Sequence, residues 1–155
     1  MLIALRNVAT DWGSYYSNHA VVRTLVAFTH IGGLVAGGGA AMVADRGILS
    51  ALRRGASERT FLLTSIRNTH AVVRAGLIAV IVSGVLLFAA DVDTYLVSRL
   101  FWTKMALVGL LMLNGAALTA AERRVSWGTL RWTAIASLIL WSLTTLTGTG
   151  LLNIG

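Results

Sequence analysis

Three histidines and no cysteine bound the chemistry that this chain can host: His19, His30 and His70 are its imidazoles, while disulfides, thiolate ligation and iron–sulfur clusters are excluded. Two of them stand in one long apolar run, HAVVRTLVAFTHIGGLVAGGGAAMV, residues 19–43, with Arg23 between them. At 100° per residue His19, Arg23 and His30 fall within roughly 40° of one another, one polar stripe on an apolar helix. An ionisable group at mid-span costs about 2.5–3.5 kcal/mol on insertion scales, so the stripe is expected to face a bundle interior. Gly33 and Gly37 continue that face, where missing side chains leave room for a flat ligand or for a close neighbouring helix. A second stripe, Arg67, His70 and Arg74, is spaced i, i+3, i+7.

An inward imidazole is the usual axial ligand of haem, and helical bundles build cofactor sites from side chains on facing helices. His30 and His70, then His19, are therefore the candidate ligands of a haem b. Arg23, Arg74 and Lys104 are the candidate partners for propionates. The plainer reading is that each histidine hydrogen-bonds within the bundle or rests at an interface. His30 is the most deeply placed. Counted at 1.5 Å per residue, His30 and His70 differ in depth by about 13 Å, more than ordinary tilts recover, so a single-histidine site or two separate cofactors fits better than a shared one.

The elements that must position these residues follow from hydropathy. Of 155 residues, 56% are hydrophobic and 12% charged, and mean hydropathy is +0.76, far from the soluble average of about a quarter charged. Four runs are long enough to cross a bilayer: 19–43, 69–90, 100–121 and 131–152. The expected fold is all-α, an integral membrane four-helix bundle filling residues 1–155 as one domain. Proline is absent, so any loosening of the first span falls on its Gly32-Gly33 and Gly37–Gly39 runs.

The net charge of +7 is distributed as a topology signal, which argues against a nucleic-acid partner. Arg46, Arg53, Arg54, Arg59 and Arg67 lie between spans one and two, and Arg123, Arg124 and Arg131 between spans three and four. By the positive-inside rule both connections are cytoplasmic and both termini outside, as in a bacterial inner-membrane protein. Residues 1–18 lack a cleavage pattern and carry Trp12, Tyr15 and Tyr16, so they are expected to form an interfacial helix, with Asn18 capping span one. Residues 44–60 are expected as a connection, with Ser57 and Glu58 capping the helix that follows.

Elsewhere the chemistry is sparser. HAVVR occurs at 19–23 and again at 70–74, a short internal repeat. Span three opens RLFWTKM, where Lys104 either snorkels to headgroups or turns inward, and carries Asn114 near its middle. Met105 and Met112 form one side of this helix and suit packing. The closing TTLTGTG holds hydroxyls that can bond back to their own helix.

These residues resemble a superfamily of four-helix membrane proteins that includes the haem-containing bacterial protoporphyrinogen IX oxidases and the copper-resistance D-type proteins. The resemblance rests on FTHIGGLVAGG, IRNTHAVVRAGLIAVIVSGVLLF and LFWTKMALVGLLMLNG, within about residues 25–120. It implies functional roles for a first-span histidine and a third-span lysine, here His30 and Lys104. The oxidases carry tyrosine and histidine where this chain has Asn114 and Gly115, and Asn114 is closer to the copper-resistance pattern.

The leading expectation is a haem- or porphyrin-binding membrane protein that passes electrons to a quinone or oxidises a tetrapyrrole. A copper transport or resistance protein using His30 with Met42, Met105 or Met112 is the first alternative, although no methionine pair forms a recognisable ligand motif. A cofactor-free anchor for a partner membrane subunit is the second. Faces such as Gly33–Gly37 permit a homodimer.

Overall fold

A computed structural model describes the backbone of residues 2–54 and 56–151, and the side chains of residues 6–54 and 69–151. It comprises α1 (Leu2–Asn18), α2 (Ala20–Gly33), a π-helical segment (Leu34–Gly38), α3 (Gly39–Ala51), α4 (Ala56–Ala90), α5 (Val92–Val97), α6 (Arg99–Arg123) and α7 (Trp127–Leu151). Four stretches are long and apolar enough to cross a bilayer: Ala20–Ala51, Thr69–Ala90, Arg99–Arg123 and Trp127–Leu151. The molecule is an all-α integral membrane four-helix bundle.

Its polarity is inverted relative to a soluble core. Large apolar side chains such as Phe28, Val35, Val43, Ile78, Leu113 and Leu146 lie exposed around the bundle, where lipid meets them. Asp45, Ser83, Thr133, Ser137 and Thr144 are buried. Because lipid is as apolar as leucine, burial of oil does not hold such helices together, and close packing with internal hydrogen bonds must do so. The glycines provide the packing. A Cβ on Gly76 would fall 2.6 Å from the Gly37 backbone, and one on Gly33 2.9 Å from the Gly76 carbonyl oxygen. The first span therefore crosses α4 backbone to backbone. On its other side Gly38 receives the Trp141 ring of α7, whose nearest atom stands 3.0 Å from where a Cβ would be. Gly33 and Gly37 thus serve a neighbouring helix, which fills the space beside them.

The first span is longer than expected. Residues 44–51 continue it as helix, because Ile48 is fully buried against Leu130 and Ala134, and Asp45 finds the Ser137 hydroxyl on α7. The connection shrinks to the few residues between Ala51 and Ala56. The caps expected from Ser57 and Glu58 lie outside the described side chains. Asn18 does not cap α2: its Nδ2 donates to the Ser14 carbonyl and closes α1, and His19 takes the N-cap position without a side-chain bond of its own to the helix start.

Helix α1 packs on the last turns of α4, where Trp12 Nε1 donates to the Leu86 carbonyl at 2.9 Å and Gly13 lies against Ala90. The end of the bundle that carries α1 is called the α1 end below, and the opposite end the far end. Short helix α5, capped by Asp91, closes the α1 end, with Tyr95 packed among Phe88 and Phe101. Burial there, with the Asp91 carboxylate nearby, pushes the Tyr95 phenol above its ordinary value. Helices α6 and α7 pack along one another, and Asn114 Nδ2 ties them by donating to the Thr133 carbonyl at 3.0 Å. Three of the terminal hydroxyls bond as expected to their own helix, Thr145 to Trp141, Thr147 to Leu143 and Thr149 to Leu146, whereas that of Thr144 does not.

Candidate functional site

Among the described residues, each half of the bundle interior holds a polar group built around a histidine. In the α1 half His30 is half-buried, with Nδ1 3.0 Å from Ser83 Oγ on α4. The Ser83 hydroxyl has one proton, and it points at the Ala79 carbonyl 2.5 Å away, so His30 Nδ1–H is the donor between them. That assignment makes Nε2 the acceptor nitrogen of the ring, which also has a backbone hydrogen bond to Val80. Gly84 makes the approach possible, since a Cβ there would lie 3.4 Å from His30 Cε1.

Lys104 enters the same region from α6. It is half-buried, within electrostatic reach of His30, and its Nζ lies 3.3 Å from where a Gly148 Cβ on α7 would stand. The lysine is turned against α7, not along the lipid. No carboxylate answers it among the described residues. One turn deeper on α7, the Thr144 hydroxyl is buried without a hydrogen-bond partner. Four elements thus contribute to one interior region: α2 an oriented imidazole, α4 its acceptor, α6 a cation, and α7 two small or polar positions.

The rest of the first-span stripe does not join His30. His19 is exposed, stacked on Tyr15 at 4.0 Å between ring centroids, with Nδ1 2.8 Å from the Tyr15 carbonyl oxygen. Arg23 is also exposed and donates to the Ser17 carbonyl. Both fold back on α1 because the break at His19 brings α1's last carbonyls within their reach. Arg23 and Lys104 accordingly do not share an anion site.

In the far half, His70 Nε2–H donates to Glu122 Oε2 on α6 at 2.7 Å. Glu122 is nine-tenths buried, and its Oε1 has no partner. Asp45 on α3 is 1% exposed, takes a hydrogen bond from Ser137, lies within electrostatic reach of Glu122, and has its own Oδ2 unpartnered. Arg74 is exposed beside this group, and Arg67 lies outside the described side chains. The group borders a cavity of about 830 Å³ lined by Val73, Leu77, Leu111, Met112, Glu122 and Trp141 among others.

His30 is level with Ser83, and Ser83 is thirteen residues from His70 along α4, so the two imidazoles stand about 20 Å apart. They cannot share one iron. Among the described residues no three histidine, aspartate or glutamate side chains gather closely enough to hold a metal ion. Met105 and Met112 are exposed, although Met112 also borders the cavity.

Ser83, Asp45 and Glu122 were not singled out from the sequence. A serine inside a span reads as a residue bonded to its own helix, and carboxylates near span ends read as interfacial. A signal was present in Glu122 nonetheless, as one acid beside the two arginines of AERR. Comparison with known proteins adds no relative: no family model, curated protein or solved structure matches this chain.

Proposed function

We propose that this protein binds a haem- or porphyrin-type tetrapyrrole in the α1 half of its bundle and handles electrons there. The observation that carries the reading is the pairing of His30 with Lys104, an oriented imidazole beside a half-buried cation that lacks a counter-charge among the described residues. An uncompensated cation inside a membrane bundle is costly, and a ligand bearing carboxylates removes that cost. A tetrapyrrole brings such groups on an apolar ring.

The residues fit this ligand in chemical terms. Ser83 fixes the His30 ring and tautomer, as partners behind a ligating histidine do, and leaves Nε2 available. Lys104 would pair with a propionate, and the Thr144 hydroxyl would offer it a hydrogen bond. A bound haem would supply one-electron transfer. The protein's part is to orient the imidazole, hold the carboxylates and exclude water with the aromatic cover of Tyr95, Phe88 and Phe101.

The proposed setting is a bacterial inner membrane with the α1 end outside, in keeping with the eight arginines that the sequence places between residues 46 and 67 and between residues 123 and 131. The test is the absorption spectrum of purified protein. A reducible Soret and α band, or stoichiometric uptake of added haem or protoporphyrin, is the expected result. A colourless preparation that takes up neither would leave an anchoring role and overturn the proposal.

A further inference from the structure

The far-end cavity is flanked by two arginines that nothing among the described residues answers. Arg74 on α4 and Arg123 on α6 both border it and both are exposed, and neither guanidinium has a hydrogen-bond or carboxylate partner there. The neighbouring acid is committed elsewhere, since Glu122 Oε2 accepts from His70 and Oε1 is enclosed by protein. Arg74 stands five residues, about 7.5 Å, inside the span that begins at Thr69. A cation at that depth on a lipid-facing surface is costly unless it meets an anion. Helix direction brings the two arginines toward one level. Helix α4 runs inward from the far end and α6 runs outward to it, and side chains lean toward the N-terminus of their own helix. Arg74 is therefore directed outward and Arg123 inward, toward the level of the His70–Glu122 bond.

The cavity beneath them has the depth of one lipid leaflet. Among the described residues α4 and α6 do not pack along one another, so the cavity opens sideways onto the face that lipid covers, past exposed Met112. From Arg123 to Leu111, both of which line it, α6 spans about 18 Å, against about 15 Å for half of the hydrocarbon core of a bilayer. Val73, Leu77, Leu111, Met112 and Trp141 give it apolar walls over that depth. Charge and depth together select the occupant. A free phosphate would leave the apolar walls without a partner, and a zwitterionic lipid would bring an ammonium to two guanidinium groups. A fatty acid carries the chain, but its carboxylate takes up a proton far more readily than a phosphodiester, which stays ionised between the two cations. We propose that the gap between α4 and α6 seats an anionic phospholipid, its phosphate between Arg74 and Arg123 and one acyl chain along Leu77, Leu111 and Met112. The site involves neither His30 nor Lys104 and stands apart from the tetrapyrrole reading.

The test is native mass spectrometry of the purified full-length chain, released from detergent after equilibration with phosphatidylglycerol or with phosphatidylcholine of the same acyl chains. Phosphatidylglycerol should be retained as a single-lipid adduct. Arg74→Gln and Arg123→Gln should each lower that retention by roughly fivefold, the scale of one basic side chain at a membrane surface, and phosphatidylcholine should be held by wild type at least as weakly. Arg131→Gln should change nothing, because it removes an equally exposed charge at the same end of the bundle that does not border the cavity. Gly115→Phe should lower retention with both arginines in place, since Gly115 borders the cavity and a Cβ there meets nothing within 4 Å. Equal retention of the two lipids, or a loss in Arg131→Gln as large as in Arg74→Gln, would overturn the proposal. Displacement of phosphatidylglycerol by an equal concentration of oleate or of inorganic phosphate would overturn it as well, assigning the site to a fatty acid or to the free anion.

Discussion

His30 Nδ1 and Ser83 Oγ meet at 3.0 Å beside a glycine-lined helix crossing, joining the middle of the first span to the α1 half of α4. The contact exists because Gly33, Gly37 and Gly76 bring the two backbones together, and Gly84 leaves space for the ring. A histidine held this way has one nitrogen committed to the protein and one left for a ligand. That division gives the first prediction. His30→Ala should remove most bound tetrapyrrole, whereas Ser83→Ala should retain it with an altered spectrum or potential, since the ring stays but loses its partner. The haem-to-protein ratio and the spectrum of purified variants at equal concentration check both. Full, spectrally normal binding in His30→Ala would move the site elsewhere.

Lys104→Met tests the other half of the same site. A neutral side chain of similar length keeps the contact with α7 around Gly148 and discards the charge. Tetrapyrrole affinity should fall by about tenfold or more, the scale of a charge-assisted hydrogen bond, with the helical circular dichroism signal unchanged. Equal affinity in wild type and variant would show that the lysine makes no contact with the ligand's acidic groups.

Glycine substitutions should separate by contact and not by position in the sequence. Gly76→Ala places a Cβ 2.6 Å from the Gly37 backbone, where nothing flexible can give way, and should destabilise the bundle by on the order of 1–3 kcal/mol. Gly109→Ala meets nothing within 4 Å and should be neutral or stabilising, by up to about 1 kcal/mol from helix propensity. Thermal unfolding in one detergent compares them. Equal melting temperatures for the two variants would mean that the crossing is looser than described.

Orientation can be read with cysteines at Ser50 and Ser126, one near each far-end connection. In intact cells both should resist an impermeant thiol reagent and react once the membrane is opened. Ready labelling of both in intact cells would place the far end outside.

Much of this architecture was legible in the chain, and the parts that were not share a physical cause. Hydropathy located four spans because a bilayer demands about 20 apolar residues from each. Periodicity put His30 on an inward face, but it carried His19 and Arg23 with it. A helical wheel assumes one continuous helix, and the chain breaks at His19, so both side chains bond to α1 carbonyls instead. Gly33 and Gly37 were compatible with a ligand or a helix, and only the position of Gly76 decided between them. The expected first span stopped at residue 43, two residues short of Asp45. Its partner Ser137 lies 92 residues away, where no local pattern connects the two. The His70–Glu122 bond was hidden for the same reason, since each residue alone resembles an interfacial side chain.

The π-helical segment Leu34–Gly38 has a consequence for how the first span is set. A π turn takes up one residue more than an α turn, so the span carries one residue of surplus that advances the chain without advancing its phase. The half bearing His30 and the half bearing Asp45 and Ile48 are thereby clocked separately, each to its own neighbours. A helical wheel drawn through the segment therefore misplaces one half of the span relative to the other by about 100°. Removing a single residue from it would close the span as one continuous α-helix, with His30 before the segment and Asp45 and Ile48 after it keeping their present neighbours.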